Sequence, residues 1–415
     1  MDIEVNYKNK KRYKTAQYPA HQNKFWSGLI WLLSKIMLIG KDYKIEKIDM
    51  EGLKPPYMLL SNHMHFIDFE ITAMATGLHS VSNVVSIDGY VNKWFLLEWI
   101  GAICTRKYTT DVHLVKSIRK VLQRGDVLAM YPEARYTPCG TLSFLPDSLG
   151  KLIKMNKVPV VTVVHHGNHL YAPFWNVFKK KKVPMYATYK KILTPEQIES
   201  LSVAEINDLL KSELYYDEYQ YQKDNGILIR EPERAEGMHK VLYQCPHCKV
   251  EAMDSKGAEL FCTACGKRWT WQEDGYLRAN EGETEFDHIP DWFAWQRQQV
   301  KEQIEAGTYR FEDEVEVYSL PHIWKYIPLG KAKLTHDPEM GFQLEGHYRG
   351  QRYYIHRQPQ QTNSLHVEYN FSPIDGADYL DISTENDSFY CRPTKSNVIT
   401  KLAFATEELW LRSHK

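Results

Sequence analysis

Two Cys-x-x-Cys pairs, "CPHC" at 245–248 and "CTAC" at 262–265, constrain this 415-residue chain more than any other feature. Two thiolates separated by two residues can turn back onto one ion, and two such knuckles bring four sulfurs into a tetrahedron, the geometry that suits Zn²⁺. Cys245, Cys248, Cys262 and Cys265 are therefore expected to ligate one structural Zn²⁺, with a module of about 241–279 folded around it. A redox dithiol or an iron centre is the alternative. Cys104, Cys139 and Cys391 complete the seven cysteines and are scattered. That pattern favours metal ligation in a reducing compartment over a disulfide framework. His247 lies inside the first knuckle and is read as a non-ligand. Lys and Arg total 52 against 52 Asp and Glu, a net charge of zero. A general nucleic-acid coat is excluded, because phosphate binding is driven by excess Lys and Arg. Beyond Lys267, Arg268, Trp269 and Trp271 the module has no basic-aromatic patch, so a structural or docking role is expected and no nucleic-acid partner.

Upstream the chain alternates. Apolar runs at 57–60, 83–87, 127–131 and 158–164 read as strands, with helical periodicity between them. In "TTDVHLVKSIRKVLQRGD" Leu114, Val115, Ile118 and Leu122 share a face, Thr110 or Asp111 can cap the start, and Gly125 ends it. Strand and helix in repetition argue for an α/β layer with a mixed, largely parallel sheet. Residues 195–222 read as helical and 223–240 as a charged linker. A Trp-rich helix is expected at 291–307. From 308 to 393, Tyr, Thr, Val and His between turn signals such as "DPEMG" predict short antiparallel strands. "SNVITKLAFATEELWLRS" predicts one terminal amphipathic helix, with Ile399, Leu402, Phe404, Leu409 and Trp410 on its apolar surface. The expected units are 1–44, 45–222, 223–240, 241–279, 280–307 and 308–415.

The stretch "FWSGLIWLLSKIMLIG" at 25–40 has its small or polar positions, Ser27, Gly28, Ser34 and Lys35, on one narrow stripe. It falls short of the ~20 residues of a membrane span. An interfacial helix fits, with Trp26 and Trp31 at headgroup level and Lys8, Lys10, Lys11, Arg12 and Lys14 near anionic lipid. A buried core helix is the alternative. No secretory signal is read, and the protein is expected to be peripheral or monotopic on the cytoplasmic face of a membrane.

"SNHMHFIDFE" follows the strand "YMLL" directly. His63 falls in the strand-to-helix turn and Asp68 on the first helical turn, so the carboxylate can hold one imidazole nitrogen and leave the other as a base. Asp68 and Asn62 could instead merely cap the helix. No nucleophilic Ser or Cys accompanies the pair, which points to proton abstraction from a substrate hydroxyl. "YPEAR" ends a second strand with Glu133 and Arg135, "GAICTR" presents Arg106, and "VVHHG" ends a third strand. His65 reads as structural. His165 and His166 read as core or surface histidines that could line a crevice.

In this order and spacing the residues resemble the glycerolipid acyltransferases, a family that includes the lysophosphatidic acid acyltransferases. Asn62-His63-x4-Asp68 matches the first block, Gly101 to Arg106 the second, Tyr131-Pro132-Glu133-Ala134-Arg135 the third and Val158-Pro159-Val160-Val161 the fourth, across roughly residues 45–200. The resemblance implies that His63 is the general base and Asp68 orients it. Asn62, Arg106, Glu133 and Arg135 would bind the acceptor. A fatty acyl group would pass from acyl-CoA or acyl carrier protein to the hydroxyl of a lysophospholipid or related acceptor. It also suggests backbone N–H groups at a helix start as holders of the oxyanion. The chain departs from the pattern at Ala134, where glycine is usual, at Tyr136, where the arginine usually stands, and at Asp147, where a lysine is common. These changes put a phosphate-bearing acceptor in doubt. The cysteine module resembles zinc ribbons, and the last segment is similar in element order to the pleckstrin-homology-like superfold, with a β-sandwich as the alternative. A degenerate lipid-binding scaffold that recruits partners through these modules is the competing function.

Overall fold

"YMLL" is apolar without alternation because its strand is covered on both faces. The computed structural model describes residues 2–7, 19–176 and 182–414. Its first sheet contains β1 (Tyr43–Ile48), β2 (Tyr57–Ser61), β3 (Val81–Ser86), β4 (Ile103–Thr105), β5 (Val127–Met130), β6 (Val160–His166) and β7 (Met185–Leu193). The order is β1-β7-β6-β2-β5-β3-β4. All neighbours are parallel except β6 and β7. Side chains alternate between two cores. Tyr57, Leu59, Val127, Ala129, Val161 and Val163 enter one, with the helix Ile67–Thr76. Met58, Leu60, Leu128, Val160 and Val164 enter the other, with the helix Val112–Gln123. β2 lies between β5 and β6, and the chain leaves it towards β3. The carboxyl ends of β2, β5 and β6 therefore meet at a switch in strand order, where such sheets leave a crevice.

Several local expectations change in detail. Asp111 caps Val112–Gln123 by accepting from Leu114 N. That helix buries Ser117, Ile118, Val121 and Leu122, whereas Val115 is exposed. The helical stretch after 194 is three helices, Pro195–Ser200, Val203–Glu213 and Glu218–Asp224. Thr194 and Ser202 each start a new capping box, which breaks the run. The segment 223–240 is no solvated linker, because Ile227, Ile229, Ala235 and Met238 are buried.

The cysteine module is a four-stranded antiparallel sheet of β8 (Met253–Lys256), β9 (Glu259–Cys262), β10 (Arg268–Trp271) and β11 (Leu277–Ala279). Trp269 and Trp271 are fully buried. Trp269 packs on Trp292 of the helix Ile289–Glu305, and Trp271 on Tyr219. The third sheet joins β12 (Phe311–Ser319), β13 (Ile327–Asp337), β14 (Gly341–Tyr348), β15 (Gln351–Arg357), β16 (His366–Glu368), β17 (Tyr379–Ser383) and β18 (Ser388–Pro393). Its order is β15-β14-β13-β12-β18-β17-β16, antiparallel throughout. The helix Ile399–Ser413 follows, and Ile3 near the amino terminus bridges to Tyr354 of β15.

The helix Lys24–Met37 is turned opposite to an ordinary amphipathic helix. Ser27 and Ser34 are its buried residues, and Phe25, Leu32, Leu33, Ile36 and Met37 are exposed. Ile39, just beyond, is 74% exposed. A second helix, Trp94–Trp99, buries none of its residues, and Trp99 meets Trp26 at 5.7 Å between ring centroids. Phe66 and Leu78 are exposed as well. Among the described residues no helix is long and apolar enough to cross a membrane. The expected basic residues Lys8, Lys10, Lys11, Arg12 and Lys14 lie outside the described residues.

Candidate active site

β2 ends in a tight set of hydrogen bonds that fixes where His63 sits. Asn62 Nδ2 donates to His165 O (3.0 Å), and His165 N donates to Asn62 Oδ1 (2.8 Å). Asn62 thus ties the exit of β2 to the end of β6. His63 N donates to Glu133 Oε1 at 3.1 Å, linking the same turn to the end of β5. The His63 ring stacks on Tyr131, with centroids 3.8 Å apart and planes at 17°, and touches Tyr136 at 4.3 Å.

Asp68, fully buried in the first turn of the helix Ile67–Thr76, ties down the turn before that helix and orients His63. Its Oδ2 accepts from Met64 N (2.7 Å), from His65 N (3.0 Å) and from His63 Nδ1 (3.1 Å), and its Oδ1 accepts from Asn168 Nδ2 (2.7 Å). Asp68 therefore gives the helix no side-chain cap, and its bonds go to the turn and to the imidazole. Burial would raise the Asp68 carboxyl, but the hydrogen bond from His63, the nearby imidazoles of His165 and His63, and the Asn168 amide hold it at about 2. A carboxylate only accepts, so the proton of the neutral imidazole sits on Nδ1 and Nε2 keeps its lone pair. Burial lowers the pKa of His63 against the opposing pull of Asp68, which favours the neutral form. The His63 side chain is 20% exposed. This is a positioned base with one accessible lone pair.

Glu133 is held from three sides. Besides His63 N, it accepts from Ser143 N (2.8 Å) and from Tyr216 Oη (3.3 Å). Burial raises its carboxyl to about 7 against these donors. It spans two loops rather than facing outward. Its neighbour Ala134 has φ +55, the left-handed region that glycine prefers. The alanine thus keeps the backbone shape of the glycine it replaces. Gly101 has φ +76, and a Cβ there would lie 2.3 Å from Ala20 O, so a close approach of backbone requires glycine.

The two arginines expected at the crevice point elsewhere. Arg106 donates from Nη1 to Leu320 O (2.9 Å) and Ser388 Oγ (3.1 Å) and from Nη2 to Pro321 O (3.4 Å). Arg135 donates to Leu365 O (3.0 Å) and to Glu407 Oε1 (2.6 Å). Glu407, also buried, takes Arg297 at 2.6 Å and Ser364 Oγ at 2.7 Å. Both guanidinium groups are buried, and only their Nε atoms lack a partner. A buried guanidinium needs such partners, and the loop after β12, β18, the residue before β16 and the terminal helix provide them. Arg106 and Arg135, expected to bind an acceptor, have their terminal nitrogens bonded within the chain instead. The helix-start amides are also committed, since those of His63, Met64, His65 and Ile67 bond to Glu133, Asp68, Asp68 and His65.

His165 is fully buried, reaches Thr72 Oγ1 from Nε2 at 3.3 Å, and is pushed down to about 4 by burial. His166 stacks on Tyr221, and His65 caps Ile67 N. Asn168 and Lys107 escape a reading of the sequence, and Tyr131 and Tyr136, quoted there only as parts of the third block, prove to pack on the His63 ring. Asn168 alone had a signal, as the amide two residues beyond the strand end "VVHH".

In the cysteine module Lys249 (φ +66) and Gly266 (φ +78) each stand four residues after a cysteine and donate back to Cys245 O and Cys262 O. The four Sγ atoms lie within 4.8 Å of one another, with Cys245–Cys265 at 3.8 Å and Cys248–Cys262 at 3.6 Å. Tetrahedral Zn–S bonds of about 2.3 Å place sulfurs about 3.8 Å apart. The four cysteines can bind a metal ion and fit zinc. His247 is turned to Glu285 at 3.5 Å.

No family model matches the chain, and no curated protein matches it. Among solved structures, the 1-acyl-sn-glycerophosphate (LPA) acyltransferase PlsC from Thermotoga maritima is similar over 47% of this chain and 82% of that one, at 13% identity and a TM-score of 0.35.

Proposed function

We propose that the protein is a membrane-associated O-acyltransferase that moves a fatty acyl group from a thioester, acyl-CoA or acyl carrier protein, to the hydroxyl of a lysolipid. The observation that carries this reading is the line Asn168–Asp68–His63, which engages Nδ1 and leaves Nε2 as the uncommitted nitrogen of a side chain 20% exposed. The acceptor oxygen attacks the thioester carbonyl as its proton passes to His63 Nε2. The tetrahedral intermediate then collapses, the C–S bond breaks, an ester remains, and the thiolate takes the proton from His63. Asn62 and Glu133 hold the His63 turn in place. The test is transfer from both donors to a panel of lysolipids and other alcohols. Ester formation supports the reading. No transfer from either donor favours the competing one, a degenerate lipid-binding scaffold, to which the committed arginines and amides lend weight.

The apolar faces of Lys24–Met37 and Trp94–Trp99, with Phe66 close to His63, support seating on one leaflet. A lysolipid could then present its hydroxyl to Nε2 without leaving the bilayer. Replacing Phe25, Ile36 and Ile39 by serine should abolish co-sedimentation with vesicles. Unchanged sedimentation would remove the membrane from the proposal. Zinc at the four cysteines would be structural, joining the two knuckles of the module. The terminal β domain keeps its likeness in element order to pleckstrin-homology-like folds as a proposal only.

A further inference from the structure

The residue after Arg106 reaches across to the terminal β domain. Lys107 Nζ hydrogen-bonds His366 Nε2 on β16, and the same nitrogen lies 3.1 Å from Glu368 Oε1. The other ring nitrogen, Nδ1, is 3.8 Å from Asp381 Oδ2 on β17. This group adjoins the proposed base. Tyr108 Oη donates to Glu133 O, Thr137 N donates to His63 O, and Tyr136 between them touches the His63 ring. The charges of Lys107 and His366 act on His63, and those of Glu368 and Asp88 act on Tyr136.

Two features mark the cluster as more than packing. The His366 side chain is only 4% exposed, yet its Nδ1 has no hydrogen-bond partner. Asp88 Oδ1 is likewise buried without one. Most buried polar atoms have a hydrogen-bond partner, and these two, with only the Asp381 carboxylate at 3.8 Å from His366 Nδ1, leave room for a further one. Its three carboxylates, Asp88, Glu368 and Asp381, face one lysine and one histidine. Burial, with the Asp88 charge nearby, raises Asp381 to about 6 against the opposing pull of His366 and Lys107. A dianion brought into this group would add to the strain, whereas a donor of hydrogen bonds would relieve it. The cations that could have balanced a phosphate, Arg106 and Arg135, are committed to Leu320, Ser388, Leu365 and Glu407.

We infer that the terminal β domain completes the acceptor site, with His366, Glu368 and Asp381 forming one wall beside Lys107 and Asp88, and that this wall selects lysolipids whose head group offers hydroxyl or amine donors and carries no phosphate monoester. The inference rests on the acyltransferase reading and names the acceptor class for it. The domain is then part of the enzyme's specificity, because the site is incomplete without strand β16.

The test uses the full chain with acyl-CoA and acyl carrier protein donors and three acceptors of one chain length: a monoacylglycerol, a lysophosphatidylethanolamine and a lysophosphatidate. The expected kcat/KM is at least tenfold higher for the first two than for the lysophosphatidate. Asp88→Asn and His366→Gln should raise KM for the favoured acceptors about fivefold or more with kcat within twofold, and Asp88→Asn should narrow the gap to lysophosphatidate. Lys107→Arg, which keeps the charge, should retain the wild-type ranking. Thermal melting identifies any variant that fails to fold, and the acceptor ranking of the wild type tests the class without any variant. Preference for lysophosphatidate overturns the inference and leaves the acyltransferase reading standing. So does a KM and ranking unchanged in both Asp88→Asn and His366→Gln. No transfer to any acceptor from either donor overturns the acyltransferase reading and this wall with it.

Discussion

His63 and Asp68, on one side, and Arg106 and Arg135, on the other, come from the same sheet and read alike in the sequence as polar residues beyond apolar segments. Their surroundings differ in one respect that decides their chemistry. Asp68 satisfies its oxygens with Met64, His65, His63 and Asn168 and thereby leaves His63 Nε2 accessible. The terminal nitrogens of the arginines are all taken by residues of the terminal β domain and helix. A reactive site needs a held group with one atom to spare, and a buried ion pair needs the reverse. In the proposed function the first pair carries the chemistry, and the second ties the first sheet to β18, the neighbouring loops and the terminal helix.

Arg135→Ala should break this comparison most strongly if the arginine binds substrate instead. Removing one member of a buried pair costs about 3–5 kcal/mol when the other is left uncompensated. Arg297 still faces Glu407, which favours the lower end. Chemical denaturation should show that loss, with KM for acceptors near wild type in the folded fraction. Normal stability with a large rise in KM would return Arg135 to the site. Asn168→Ala is the next test. It removes a hydrogen bond to a buried carboxylate, worth roughly 1.5–3 kcal/mol, and should lower kcat more than it raises KM while leaving the fold cooperative. Unchanged melting and unchanged kcat would make Asn168 a spectator.

The smallest effect concerns pH. Glu133 has its carboxyl raised from 4.5 to about 7 by burial. The native state therefore binds this proton more tightly than the unfolded chain, and stability falls as pH rises from about 4.5 to about 7. Glu133→Gln should flatten that fall, as read by denaturation at a series of pH values. His63 contributes in the opposite sense. Its lowered pKa means that its share of stability is present above 6.5 and is lost as pH drops below it. An unaltered pH slope in Glu133→Gln would show that the proton is held elsewhere.

The parts of the molecule that local pattern encodes were legible. The strands around 57–60, 127–131 and 158–164 lie where their apolar runs fall, and the four cysteines meet. The partners of Arg106 and Arg135 were not, because Leu320, Leu365, Ser388 and Glu407 lie more than 200 positions away and carry no periodic signal. The same distance hides His366 from Lys107. Amphipathic patterns also leave one question open. The helix Ile399–Ser413 turns its apolar residues inward, as Leu402, Phe404 and Leu409 illustrate, whereas Lys24–Met37 turns Ser27 and Ser34 inward and its leucines outward. A stripe in a sequence identifies two faces, and only the neighbours decide which one is buried.

The central claim is that His63 Nε2 takes the acceptor's proton. Single-turnover release of thiol from acyl-CoA and from acyl carrier protein, measured with acceptor vesicles across pH, tests it most directly. The wild type should release thiol in step with new ester, with a rate that falls on the acid side through a pKa below 6.5. His63→Ala should fold normally and lose roughly 10²–10⁴ of that rate. A folded His63→Ala variant that releases thiol and forms ester at the wild-type rate, with the same pH profile, would contradict the account.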